Sequence, residues 1–133
     1  MSKRAVLDKS QKLPKSERLS NRKIIQELFD SNSSSFFFYP FKFFFLVDEG
    51  NMLPHYPQVL FIVPKKRFRR AHDRHYLRRR MKEAYRLHKY DFFHDLLPPW
   101  RALAIVYVGK TLMDFHQIEE ALCKAFARFK QSL

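Results

Sequence analysis

The chain has 133 residues, 26 Lys+Arg against 13 Asp+Glu, and a net charge of +13. Its 46% apolar and 17% aromatic content excludes a disordered basic tail, and two glycines exclude collagen-like or flexible-linker chains. The length suits one domain, residues 1–133, with a real core. The lone Cys123 excludes an internal disulfide and points to a reducing, cytoplasmic setting, and the charge excess calls for a polyanionic partner.

Residues 1–12 are basic but lack the apolar stretch and cleavage site of a secretory signal, so they are expected to form a partly ordered polar arm. Ser20 or Asn21 can cap a first helix, on which Ile24, Ile25, Leu28 and Phe29 form one apolar stripe. Asp30 to Ser35 then favours a turn, because these short polar side chains compete for backbone hydrogen bonds. Phe36 to Val47 holds seven of the fifteen phenylalanines. With Pro40 and Lys42 inside it is too short and interrupted to cross a bilayer, and it reads as one strand with Pro40 near its start. A loop carrying Gly50, Pro54 and Pro57 leads to a second strand, Gln58 to Val63, and the two strands are expected to form a long-turn hairpin.

From Lys65 to Lys89, twelve of 25 residues are Lys or Arg. The part from Ala71 onward reads as a long helix. His94 to Arg101 is expected to be a loop and Ala102 to Val108 an apolar strand. Asp114, with Gln117 three residues on, opens a last helix whose apolar face is Phe115, Ile118, Leu122, Ala125, Phe126 and Phe129. The order helix, strand, strand, helix, strand, helix predicts a mixed sheet with helices packed on one face.

On the long helix, at about 100° per residue, Leu77, Met81, Ala84, Tyr85 and His88 form a core stripe. His75, Arg78, Arg79, Lys82, Arg86 and Lys89 form an adjoining cationic stripe. Like charges at i, i+4 repel, so a stripe of one sign is better explained by phosphate binding than by helix stability. Alternating aromatics on a neighbouring strand offer stacking surfaces for unpaired bases, although most of the phenylalanines are expected in the core.

The segment Ala71-His-Asp-Arg-His-Tyr-Leu-Arg-Arg-Arg-Met-Lys-Glu83, preceded by Val63-Pro-Lys-Lys66, resembles the signature helix of the bacterial ribonuclease P protein subunit. Arg18 to Phe29 resembles that family's first helix and Tyr39 to Phe45 its first long strand, so the resemblance spans about residues 12 to 130 in consistent order. Where the family has Arg-Asn-Arg, this chain has Arg74-His75-Tyr76, which removes an amide and a bidentate phosphate ligand and turns attention to Arg69, Arg70 and Arg80.

The resemblance implies an α/β two-layer sandwich with a mixed central sheet in α-β-β-α-β-α order. It also implies a left-handed βαβ crossover, as in a domain of a small-subunit ribosomal protein. It further implies an accessory subunit whose partners are a catalytic RNA carrying Mg²⁺ and the 5′ leader of precursor tRNA, with no membrane and a monomeric free protein. Contacts to the catalytic RNA are expected from Lys65, Lys66, Arg67, Arg70, Arg74, His75, Arg78, Arg79, Lys82 and Arg86. The leader would lie in a cleft between the sheet and the first helix, walled by Phe29, Phe45 and Ile25.

No catalytic side chain or metal site is expected in the protein. The six histidines lack zinc-ligand spacing, two glycines cannot supply a phosphate-binding loop, and His72 with His75 reads as a helix start. The alternative reading is a general RNA- or DNA-binding module of the same fold, which the altered Arg74-His75-Tyr76 centre keeps open.

Overall fold

The computed structural model describes residues 7–30 and 33–133. Asn21 caps α1 (Arg22–Phe29), its side chain accepting from the Lys23 and Ile24 N–H groups at 3.0 and 3.3 Å. The strands are β1 (Ser34–Phe38), β2 (Phe41–Val47), β3 (Gln58–Ile62) and β4 (Trp100–Tyr107), with α2 (Ala71–Phe93) and α3 (Phe115–Gln131) completing the fold. Asp114 and Gln117 form the expected capping box at the start of α3.

The phenylalanine-rich run is two strands rather than one. Tyr39 and Pro40 make a tight connection, and β1 pairs back on β2 with Phe36 opposite Phe43 and Phe37 opposite Lys42. Gly109 accommodates this turn, since a Cβ there would stand 2.8 Å from the Tyr107 ring and 3.0 Å from Pro40. Ser34 and Ser35, expected in a turn, begin β1, and Trp100 and Arg101, expected in a loop, begin β4.

The expected hairpin of the second long strand on the first does not form. Sheet order is β1-β2-β4-β3, with β4 antiparallel to β2 and parallel to β3. Trp100 and Ala102 to Ile105 are all buried, so β4 is covered on both faces and takes the centre, pushing β3 to the edge. The β3–α2–β4 crossover and the mixed α/β class agree with the expected fold, with one more strand in the order.

Alternation along the strands divides the interior into two layers of different chemistry. Phe41, Phe43, Phe45, Leu103, Ile105 and Tyr107 point to α2 and α3, where Phe92, Phe93, Trp100 and Phe126 complete an aromatic core. Phe92 and Phe126 stack with centroids 4.1 Å apart, joining the two helices. The other face carries Leu46, Ala102 and Ala104 under Leu28 of α1. Helices therefore lie on both faces, α2 and α3 together on one and α1 on the other.

Residues 1–6 of the expected arm lie outside the described residues. Leu7 and Leu13 are buried in the larger core, and Tyr56 donates to the Asp8 carbonyl, so residues 7–17 form a strap across α2. The apolar spacing of Leu7, Leu13 and Leu19 is too wide to signal a regular element, which is why composition alone read this stretch as a loose arm.

Candidate nucleic-acid interface

The chain leaves β3 through a turn that displays charge around a buried anchor. Arg67 and Phe68 both donate their N–H groups to the Pro64 carbonyl, at 3.1 and 3.3 Å. The Phe68 ring is buried 5.8 Å from that of Tyr107, so Lys65, Lys66, Arg67, Arg69 and Arg70 are left on the outside. No side chain caps α2 at Arg70. The first N–H groups of this helix thus open onto a cluster of cations, which favours an approaching anion.

Leu77, Met81, Ala84 and Tyr85 are buried as the helical spacing requires. Beside them, His75, Arg79 and Lys82 are exposed and Arg78 is half-buried, its Nη2 lying 3.2 Å from the His75 Nδ1. These four line a groove of about 270 Å³ between α2 and the β3 edge. The opposite wall is Leu13, Arg18, Leu19, Val59, Leu60 and Phe61, giving an apolar floor between cationic sides. Arg18 was absent from the expected contacts. It reaches the groove through a bridge to Val59, with Leu19 N–H donating to the Val59 carbonyl at 2.9 Å, a long-range pairing that leaves no local signal.

Four basic side chains of α2 do other work. Lys89, placed by the helical wheel on the cationic stripe, is 1% exposed, because the strap covers this end of the helix. Its ammonium donates to Glu17 Oε1 at 2.6 Å and to the Lys12 carbonyl at 2.5 Å, and it lies 4.2 Å from the Tyr56 ring centre. Arg86 is held by both oxygens of Glu83, at 2.5 and 3.0 Å, and donates to the Gln11 carbonyl at 2.7 Å. That pairing holds the Glu83 carboxyl below its ordinary range. Arg74 donates through Nη1 to the carbonyls of Phe68 and Arg69. Tyr76 already carries the Arg80 guanidinium 4.5 Å above its ring.

A second surface lies on the α1 side of the sheet. Phe29, 45% exposed, sits with its ring 4.9 Å from that of Phe44, and Lys42 Nζ lies 5.1 Å over the same Phe44 ring. Phe37 is 61% exposed and, being opposite Lys42 in the register, belongs to this face. Ile25 is half-buried against the same cluster. Phe45, expected in the cleft wall, is instead 7% exposed and stacked 4.1 Å from Trp100 in the aromatic core. One step along a strand reverses the face, and Phe44 holds the cleft position.

Among the described residues, no three His, Cys, Asp or Glu side chains converge as metal ligands, and no helix is long and apolar enough to cross a membrane. Burial pushes the Cys123 thiol up, which favours its protonated, unreactive form.

A family model described as Ribonuclease P matches residues 13–130. A ribonuclease P protein component from Porphyromonas gingivalis strain W83 is 34% identical over 119 residues, covering 87% of this chain and 85% of its own length. One from Proteus mirabilis is 33% identical over 83 residues, covering 62% of this chain and 65% of its own. Among solved structures, the ribonuclease P protein of Staphylococcus aureus superposes with a TM-score of 0.66 at 16% identity, covering 87% of this chain and 96% of that one.

Proposed function

Since the chain belongs to the ribonuclease P protein family, we propose that it is the cytoplasmic RNA-binding subunit that assists a catalytic RNA in removing the 5′ leader of precursor tRNA. The observation that carries this reading is the one-sided basic surface formed by the Lys65–Arg70 turn and the exposed flank of α2, opening into the β3 groove. Lys65, Lys66, Arg67, Arg70, Arg79 and Lys82 are exposed and free to meet phosphates of the catalytic RNA. Arg78 and His75 stand at the groove rim, where a phosphate could reach both.

The unpaired leader would lie on the α1 face. Phe29 and Phe44 offer ring surfaces to bases, with Phe37 further along the strand pair, and Lys42 supplies charge to the leader backbone. Leader removal hydrolyses a phosphodiester, and Mg²⁺ supplies the electrophilic chemistry for such a step. The Lys- and Arg-rich faces do not suit a divalent cation, so the metal is assigned to the RNA and no protein side chain is given a role in bond cleavage.

Reconstitution with the cognate ribonuclease P RNA at low Mg²⁺ tests the reading: leader removal from precursor tRNA should rise on adding the protein, and an unchanged rate would sink it. A general nucleic-acid-binding role is favoured by one observation. Arg74 and Arg86 of the signature helix are engaged within the protein, and the motif centre lacks its Asn and second Arg. Equal affinity for the ribozyme RNA, tRNA and duplex DNA would select that role instead.

A further inference from the structure

We propose that Arg74 is a positioning residue: it fixes the basic turn that meets RNA. This rests on the RNA-binding reading above and goes beyond it by dividing the basic residues into ligands and a support. The Nη1 nitrogen carries two hydrogens. The Phe68 carbonyl accepts one at 2.9 Å and the Arg69 carbonyl the other at 2.8 Å. That nitrogen is saturated by the turn, and of the five guanidinium N–H groups the three on Nη2 and Nε are not used in holding it.

The segment it holds has a need for such support. Lys65, Lys66, Arg67, Arg69 and Arg70 crowd five positive charges into six residues, and their repulsion favours an opened turn. Phe68 anchors the segment by its buried ring, and on its N-terminal side the only further ties among the described residues are the N–H groups of Arg67 and Phe68 to the Pro64 carbonyl. The helix start supplies no capping side chain, and Arg74 N–H donates to the Arg70 carbonyl at 3.2 Å. The main chain between Phe68 and Ala71 is therefore tied to residue 74 from both its backbone and its side chain. A turn held in shape before binding presents its cations without first losing conformational freedom.

The test is a salt titration with a fluorescein-labelled ribonuclease P RNA transcript, using wild type, Lys66→Ala, Arg74→Ala and the double variant. A single lost phosphate contact makes the log–log slope shallower by about 0.7–0.9. Lys66→Ala should do this. Arg74→Ala should remove about two or more such increments, because several turn contacts go together, and adding Lys66→Ala should then change little further. A loss of about one increment for Arg74→Ala, with simple addition in the double variant, overturns the proposal.

A second measurement needs no variant and stands if Arg74→Ala does not fold. Phenylglyoxal labelling read by mass spectrometry should find Arg74 slow to react in the free protein and unchanged by RNA, while Arg79 becomes protected. Fast labelling of free Arg74 that RNA suppresses overturns the proposal. Should wild-type protein not bind the transcript, the RNA-binding reading fails, whereas labelling of the free protein still reports on the turn.

Discussion

Replacing Glu17 by Ala strands a charge inside the protein. The Lys89 side chain is 2% exposed and has three partners: the Glu17 carboxylate, the Lys12 carbonyl and the face of Tyr56. Without the carboxylate the ammonium keeps one neutral acceptor and one ring, and breaking a buried pair from one side costs about 3–5 kcal/mol. Removing the lysine instead, as Lys89→Met, leaves Glu17 with 18% of its side chain exposed and able to rehydrate, so the loss should be smaller, about 1–3 kcal/mol. The double variant Glu17→Met/Lys89→Met should fall close to wild type, because an apolar pair needs no desolvation of charge. Equilibrium urea unfolding reads all three. With a denaturant slope of about 2 kcal/mol/M, a 4 kcal/mol loss moves the midpoint by about 2 M. If Glu17→Ala costs under about 1 kcal/mol, or less than Lys89→Met, then Lys89 is hydrated and the strap is not latched as described.

Wild-type binding to the ribozyme RNA should weaken with a log–log slope of about −4 to −5, the value for roughly six neutralised phosphates. A slope near −1 would remove the basic turn and α2 from the interface. Phe29→Ala and Phe44→Ala should each weaken binding of a single-stranded leader oligonucleotide by about 1–3 kcal/mol with the salt slope unchanged, as expected for stacking. Asn21→Ala should lower stability by about 1 kcal/mol through loss of the α1 cap, seen as a reduced thermal midpoint. The Asp48 carboxyl is lowered by hydrogen bonds from His55 and Asn51. Its stabilisation is therefore present above the ordinary carboxylate value of about 3.9 and is lost as pH falls through its folded value. Asp48→Ala should cost about 0.5 kcal/mol at pH 7 and progressively less as pH falls below the ordinary carboxylate range, with thermal unfolding across that range as the check.

Local physics made some elements readable and left others hidden. The Asn21 cap, the Asp114–Gln117 box and the buried stripe of α2 depend on neighbours within one or two turns, so their spacing in the chain is their geometry. The Tyr39-Pro40 connection was hidden because it has neither the Gly nor the Asn that usually marks a tight hairpin turn. Pairing of β3 with β4 rather than β2 depended on which strand is buried on both faces. The near-continuous apolar run from Ala102 to Val108 carries that signal. Phe44 and Phe45 could not be told apart without the register that assigns them to opposite faces. Lys89 looked like surface because the strap that buries it is more than 70 residues away in sequence.

The contrast between the two faces of the sheet has a bearing on how this surface can change. Ala102 and Ala104 of the central strand lie beneath α1, whereas their neighbours Leu103 and Ile105 are packed into the aromatic core. The backbone of one strand thus insulates a rigid interior from a shallow, adjustable one. Enlarging either alanine would lift α1 and shift Phe29 relative to Phe44 while leaving the contacts of Trp100, Phe92 and Phe126 in place. Selection acting on what the cleft accepts can therefore work through two small side chains without renegotiating the fold.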